Sequence, residues 1–190
     1  MSDTVLTLFA GRPTDTAERT ARELEAYDFL EALGVSFDRV DHAPAMTMAV
    51  CEDIDRALEA TICKNLFLTN RQGTAFYLLM MPGDKPFRTK HLSAALGTAR
   101  LSFGAPEKME QLLHTAPGSA SVLGLMHDTE NEVQLVIDRE VLQGNFVGCH
   151  PLVNTSSLRI KTVDLLDKIL PATGQVPTVV DLPREDAADA

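Results

Sequence analysis

Residues 64–82 read KNLFLTNRQGTAFYLLMMP and decide the central part of the fold. Two apolar runs, KNLFLT at 64–69 and AFYLLMMP at 75–82, flank the polar segment Asn70-Arg71-Gln72-Gly73. A polar connection that ends in glycine between two apolar runs is typical of a β-hairpin. The stretch therefore predicts two neighbouring antiparallel strands.

Helices and strands are mixed on both sides of this hairpin. The pattern predicts further strands over 35–42, 133–137, 146–148, 157–160 and 178–182, and helices over 48–58, 92–96, 106–113 and 164–170. A first helix is predicted to begin at Asp15, three residues before Glu18, and to end at Gly34. Without strict βαβ alternation, these elements indicate one mixed α/β (α+β) domain around a largely antiparallel sheet. No nucleotide-binding GxGxxG or GxxxxGKS/T motif occurs.

The length and composition are those of one globular domain. The chain has 190 residues, of which 45% are hydrophobic, and this composition argues against disorder. No apolar run approaches the roughly 18 residues of a membrane span, and no basic segment precedes the first apolar patch. We expect a cytoplasmic protein with an N-terminal arm (1–15), a single domain (16–183) and an acidic, disordered tail (184–190).

The cysteines and histidines do not form a local metal motif. Three cysteines without an export signal indicate reduced thiols. The five histidines are far apart in sequence, so no local zinc-ligand spacing exists, although a site assembled by folding stays open. We expect no metal and no cofactor.

The charge balance argues against a protein that coats nucleic acid. Asp and Glu number 27 against 17 Lys and Arg, a net charge of −10, whereas nonspecific phosphate binding needs a basic surface. Three basic residues nevertheless cluster within GDKPFRTKHL at 83–92: Lys85, Arg88 and Lys90. They form either a solvated loop or a small patch that contacts one nucleic-acid end.

Two segments carry polar or small residues of unusual composition. Lys64 and Asn65 open an apolar strand, where the lysine either reaches out from the strand end to solvent or serves a site at the edge of the core. PGSASVLG at 117–124 is either an ordinary turn or a loop whose glycines allow close backbone approach to a ligand.

A third segment, GCHPLVNT at 148–155, places Cys149 beside His150. A proline after His150 favours extended backbone. Adjacent side chains on an extended chain point to opposite sides, so a thiol–imidazole nucleophile pair is not favoured.

Taken together, KNLFL, PGSxSxxGL and Gly-x-His-Pro-x-Val-Asn-Thr resemble, in their order, the prolyl-tRNA editing domain family, also called YbaK/ProX-like. The resemblance covers about residues 17–182. It is closest to the free-standing deacylases that clear alanine from proline tRNA. It implies a mixed α/β domain with a central, mainly antiparallel, barrel-like sheet, and hydrolysis of a mischarged aminoacyl ester without a metal.

The resemblance also assigns site residues. Lys64 matches the lysine needed for activity, and His150 matches the histidine of the Gly-x-His-Pro block; these two are the expected catalytic residues. The expected substrate-binding residues are Asn65, of the Lys-Asn pair that resembles the alanine-specific subgroup, and the small-residue loop with Gly118, Ser119, Ser121 and Gly124. The sequence departs from relatives in reading GSASVLGL where GSVSPFGL is frequent.

The resemblance implies a trans-acting deacylase of Ala-tRNA(Pro) with a size-limited pocket, in which the ribose 2′-hydroxyl of the substrate assists. Its expected partners are the acceptor end of tRNA(Pro), weakly contacted by the basic cluster, and prolyl-tRNA synthetase, but neither DNA nor a membrane. Two alternatives stay open: a Cys-tRNA(Pro) deacylase of the same fold, and a non-catalytic module that binds tRNA or a synthetase.

Overall fold

The computed structural model describes residues 6–44, 48–60 and 62–184. The strands are β1 (Leu8–Ala10), β2 (Phe37–Asp41), β3 (Cys63–Thr69), β4 (Phe76–Pro82), β5 (Ser102–Phe103), β6 (Val133–Asp138), β7 (Phe146–Cys149), β8 (Ser156–Lys161) and β9 (Thr178–Val180). The helices are α1 (Ala21–Ala32), α2 (Met48–Leu58), α3 (Thr89–Ala95) and α4 (Pro106–Leu113). Two 3-10 segments, Val122–His127 and Arg139–Gln143, and a C-terminal helix over 162–172 complete the fold.

The first helix starts later than the sequence predicts. Thr20 is its N-cap, and the Thr20 hydroxyl accepts a hydrogen bond from the amide of Glu23 at 3.2 Å. The predicted start at Asp15 is wrong, because the Asp15 carboxylate instead accepts from the amide of Ala17 in a separate turn. Short oxygen side chains favour both caps and turns, so the pattern alone does not distinguish them.

The predicted mixed α/β fold is confirmed, but its strands form two sheets. β1, β2, β8 and β7 form an antiparallel sheet in that order, and the other sheet has the order β5-β3-β4-β6-β9. In the second sheet β4–β6 and β6–β9 are parallel pairs. A long connection precedes β6 and another precedes β9, and each returns the chain to the end of the sheet at which the parallel neighbour began. The strands of the described residues therefore do not close into the expected barrel-like sheet.

β4 lies at the centre of the five-stranded sheet, and this position explains its unbroken apolar run. β3 pairs with it antiparallel, with Phe67 opposite Leu78, and β6 pairs with it on the other side. Successive side chains of β4 point to opposite faces of the sheet, and residues on both faces are buried. One face packs in the main core between the sheets, and the other packs against Leu92 of α3.

The two sheets meet beside the beginning of β3. Ile62 and Gly148 form a parallel β-bridge, which joins the residue before β3 to strand β7 of the other sheet. Among the described residues, none of the helices is long and apolar enough to cross a membrane. The predicted tail lies outside the described residues apart from Arg184, whose guanidinium pairs with Asp84 and Glu140.

Candidate active site

A cavity of about 380 Å³ lies where the two sheets meet. Its wall is built by α2, the first half of β3, the turn after β4, the 118–120 loop and the segment that follows β7. Four of the residues singled out in the sequence line it together: Lys64, Asn65, Gly118 and His150. A volume near the small end of the roughly 300–1,000 Å³ usual for ligand sites suits a small group.

Lys64 supplies an ammonium group to this cavity. Its Nζ donates to the backbone carbonyl oxygen of Lys85 at 2.7 Å, so the side chain is held across the turn that follows β4. Burial lowers the pKa of Lys64, and the nearby carboxylate of Asp84 opposes that change. The cavity thus holds one localised cation whose position is fixed by the backbone.

Asn65 brings an unused acceptor to the same wall. Its Nδ2 donates to the carbonyl oxygen of Cys63 at 3.2 Å. Its side chain is 9% exposed, and its Oδ1 is buried without a hydrogen-bond partner in the described part of the chain. Leaving a buried acceptor unpaired costs about 1–3 kcal/mol, so this oxygen is suited to a donor on a bound ligand.

His150 is oriented by β8. Its Nδ1 lies 2.9 Å from the carbonyl oxygen of Ser156 and 3.4 Å from the hydroxyl of Ser157. A second histidine lies behind it, because Nε2 of His42 contacts the Ser157 hydroxyl at 2.8 Å. Burial lowers the pKa of His150, and the proximity of His42 acts in the same direction. A neutral imidazole is therefore favoured at this wall.

The small-residue loop divides between the cavity and the core. Gly118 lines the cavity with φ +88°, a conformation that favours glycine. Ser119 lies outside, in a neighbouring surface groove. The expected substrate contacts of Ser121 and Gly124 are corrected, because Ser121 is fully buried and caps the following 3-10 segment. Gly124 packs so closely that a Cβ would lie 2.9 Å from the Leu113 carbonyl oxygen.

Three carboxylates at the cavity were not singled out from the sequence: Glu52, Asp55 and Asp84. Burial raises the pKa of Asp55, and its Oδ1 accepts from the amide of Ile62 at 2.8 Å. Helix α2 presents Glu52 and Asp55 to the site, a placement that depends on how α2 docks. The acidic run CEDID at 51–55 was the only sequence signal for it.

The predicted separation of Cys149 from His150 is seen in the structure. Cys149 is fully buried in the main core, whereas His150 lines the cavity. Burial raises the pKa of Cys149 to about 12. A buried protonated thiol is a poor nucleophile.

The basic cluster does not act as one surface. Lys85 has a side chain that is 1% exposed, and its Nζ pairs with Asp138 at 2.7 Å and Glu140 at 2.8 Å. Its expected role in tRNA contact is therefore corrected, because the charge is used inside the fold. Arg88 and Lys90 are exposed and line an open groove.

The fold is a small mixed α/β domain with a ligand-sized cavity between its sheets, and the comparison with known families gives its class. A family model described as the aminoacyl-tRNA editing domain matches residues 42–168. This chain belongs to the aminoacyl-tRNA editing domain family, so the expected family and enzyme class, an aminoacyl-tRNA deacylase, are confirmed.

Similar proteins are found in bacteria and animals. The prolyl-tRNA editing protein ProX of Acetoanaerobium sticklandii is 29% identical over 153 residues, which cover 80% of this chain and 93% of the relative. Prolyl-tRNA synthetase associated domain-containing protein 1 of Danio rerio is 29% identical over 161 residues, covering 84% and 85%. A crystal structure described as a proposed trans-editing enzyme for prolyl-tRNA synthetase superposes with a TM-score of 0.65 at 21% identity, covering 88% and 99%.

Proposed function

We propose that this protein is a trans-editing hydrolase that removes alanine from mischarged Ala-tRNA(Pro). The observation that carries the proposal is the convergence of Lys64, Asn65, Gly118 and His150 on one small cavity. The names of the relatives, which refer to prolyl-tRNA editing and to prolyl-tRNA synthetase, support it.

The chemistry of the cavity fits an aminoacyl ester. An aminoacyl group carries an ammonium, which the carboxylates of Glu52 and Asp55 and the unpaired Oδ1 of Asn65 would bind. The positive Lys64 would face the opposite end of the substrate, where the ester oxygens adjoin the terminal ribose and phosphate. The charges of the wall thus complement both ends of the scissile group.

Hydrolysis requires little acid–base chemistry from the protein, because the ester is already activated. Water attacks the carbonyl carbon, the bond from that carbon to the ribose 3′-oxygen breaks, and alanine and tRNA are released. The adjacent 2′-hydroxyl takes up the proton that the attacking water releases and passes its own proton to the leaving 3′-oxygen, so no proton is gained or lost. Lys64 and the backbone amide of Gly118 stabilise the oxyanion, and neutral His150 positions the water.

Size provides the selectivity. A synthetase that binds proline cannot strongly exclude alanine, because a missing methylene or two changes binding by only about 1–3 kcal/mol. A second hydrolytic site that admits only the smaller group corrects this error. The backbone of Gly118 and the ring of His150 would form the walls that exclude the proline ring.

The rest of the tRNA end would contact the groove beside α3. Arg88, Lys90 and Arg100 line this groove together with Phe87 and Phe103. Phe103 is 61% exposed and meets Phe87 edge to face at 6.0 Å. Cations that bind phosphates beside an exposed ring that stacks on a base form a common arrangement for single-stranded ends.

Deacylation of Ala-, Cys-, Ser- and Pro-tRNA(Pro), measured side by side, tests the proposal. We expect rapid loss of alanine and slow loss of proline. Faster cleavage of the cysteinyl ester would replace alanine by cysteine as substrate. Equal rates on alanine and proline, or no turnover of any ester, would contradict the editing function.

A further inference from the structure

Three possible metal ligands meet on the surface outside the editing cavity. Glu25 comes from α1, His114 follows the end of α4, and His127 ends the first 3-10 segment. One ligand atom from each lies within 4.8 Å of the others. These residues are far apart in sequence and are brought together only by folding.

His127 is the most informative member of this cluster. Its Nε2 is buried without a hydrogen-bond partner in the described ranges, and it lies 3.6 Å from Oε2 of Glu25. The ring of His114 stacks on the ring of His127 with centroids 4.0 Å apart. An imidazole nitrogen that is buried without a hydrogen-bond partner and faces a carboxylate is placed to bind a metal ion.

We propose that Glu25, His114 and His127 bind a divalent transition-metal ion of the zinc type. Two imidazole nitrogens and one carboxylate oxygen are a ligand set that zinc accepts, with water in the remaining position. Tetrahedral ligands at zinc distances lie about 3.4 Å apart, so the separation of His127 from Glu25 is already close to that required. Glu25 and His114 are exposed, so an ion can enter from solvent and both side chains can turn toward it. His114 must leave its stack on His127 to do so, because an imidazole nitrogen binds a metal in the plane of its ring.

The position of this site gives the ion a structural role. His114 and His127 bracket the segment that carries Gly118 and Ala120, both of which line the editing cavity. An ion bound between them would hold both ends of the segment against α1. It would therefore stabilise the loop without touching the substrate, and this inference does not depend on the proposed editing reaction.

Zinc titration of the full chain, by calorimetry and by thermal unfolding after removal of metals, tests the site. We expect one equivalent to bind and to raise Tm by about 5–10 °C when zinc is present at about 100 times its Kd. Cobalt(II) should bind competitively and give the intense visible bands of a tetrahedral nitrogen–oxygen site.

Matched variants separate this site from adventitious binding. H127F keeps a stacking ring, H114G tolerates the left-handed backbone (φ 50°), and E25Q changes only an exposed side chain. Each should weaken zinc binding by at least about tenfold, whereas H91A, a histidine outside the cluster, should leave it unchanged. The proposal is overturned if the parent binds no zinc, or if E25Q and H127F bind it as tightly as H91A does.

Discussion

Nδ1 of His150 donates a hydrogen bond to the carbonyl oxygen of Ser156 across 2.9 Å. A carbonyl oxygen can only accept, so the proton of the neutral ring resides on Nδ1 and Nε2 keeps its lone pair. The unprotonated nitrogen is the form that orients a water molecule. The backbone of β8 thus determines which nitrogen of His150 is available.

The first prediction concerns pH. Because burial lowers the pKa of His150 below its usual 6.5, we expect the rate on Ala-tRNA(Pro) to be constant just above pH 6.5 and to fall as pH drops through the lowered pKa. The free energy of unfolding should also fall with pH, because His150 binds a proton more readily in the unfolded chain than in the folded one. Its contribution is therefore fully present above pH 6.5 and is lost as pH drops through the lowered pKa. Single-turnover rates and Tm between about pH 5 and pH 8 measure both.

H150A separates positioning from exclusion in that experiment. If His150 is also a wall of the pocket, its removal should slow alanine release and raise the relative rate on Pro-tRNA(Pro). A constant ratio of the two rates, with both reduced, would show that the ring acts on the water alone and would contradict its role as a wall.

The second prediction compares Lys64 with the exposed cations. Lys64→Met keeps the length of the side chain and removes its charge, and should reduce kcat by at least about 100-fold. Arg88→Ala and Lys90→Ala should instead weaken tRNA binding, with kcat retained at saturation, and each should lower the slope of affinity against salt by about one. Normal kcat in Lys64→Met would show that the site is misplaced.

The third prediction is that Lys85 stabilises the fold. Lys85→Met removes the cation that pairs with Asp138 and Glu140. Asp138 is almost completely buried and loses its ion pair, whereas Glu140 keeps its pair with Arg184. Breaking such a buried pair costs about 3–5 kcal/mol, which corresponds to a fall in Tm of roughly 6–20 °C. Lys90→Met, at an exposed position, is the matched control and should change stability by less than about 0.5 kcal/mol. Equal Tm values for the two variants would contradict the prediction.

The fourth prediction is a reaction independent of the Cys149 thiol. Cys149 is fully buried and its pKa is raised to about 12, so it should react slowly with thiol reagents. Cys149→Ala should keep turnover within about twofold, and Cys149→Ser should lose stability by about 1–3 kcal/mol through its buried hydroxyl. Turnover per folded molecule should also survive a chelator. Loss of turnover in a fully folded Cys149→Ala protein would restore the cysteine mechanism.

The fifth prediction concerns the backbone of the loop. Gly118 has φ +88°, and a Cβ there would point toward the side-chain amide of Asn154 at 3.8 Å. Gly118→Ala should therefore strain the loop and narrow the cavity, which slows hydrolysis even of the small alanyl ester. Gly73→Ala is a suitable control, since Gly73 has φ +68° in the hairpin turn with nothing near its Cβ position. Both variants should lose similar stability, and only Gly118→Ala should lose activity. Equal activities of the two variants would show that Gly118 has no role in the site.

Local patterns were predicted well from the sequence, and distant contacts were not. The hairpin of β3 and β4 and the bounds of α2 follow from short apolar periods and turn residues, which act over a few positions. The division into two sheets depends on parallel pairing of β4 with β6 across a long connection. Lys85 was assigned to the surface because its partners, 53 and 55 residues away, cannot be recognised from the residues around it.

The same limit applies to the candidate site. Lys64 and His150 were found because they belong to recognisable segments. His42 is brought to within 6.3 Å of the His150 ring by folding alone, and both rings contact the hydroxyl of Ser157. Glu52 and Asp55 resemble ordinary solvated residues of a helix until α2 is placed against the cavity. Ser121 and Gly124 belong to the same loop motif as Gly118, and the sequence does not show which of them turn toward the core.

The bridge between Ile62 and Gly148 has a consequence for how this protein changes its preference for amino acids. One wall of the cavity comes from β3 and the other from the segment that follows β7. The width of the cavity therefore depends on the relative position of the two sheets. Core substitutions that shift one sheet relative to the other by a fraction of an ångström would widen or narrow the cavity without altering any residue that contacts the substrate. Amino-acid specificity would then change through substitutions in the core, and a comparison of the residues that line the cavity would not reveal the change.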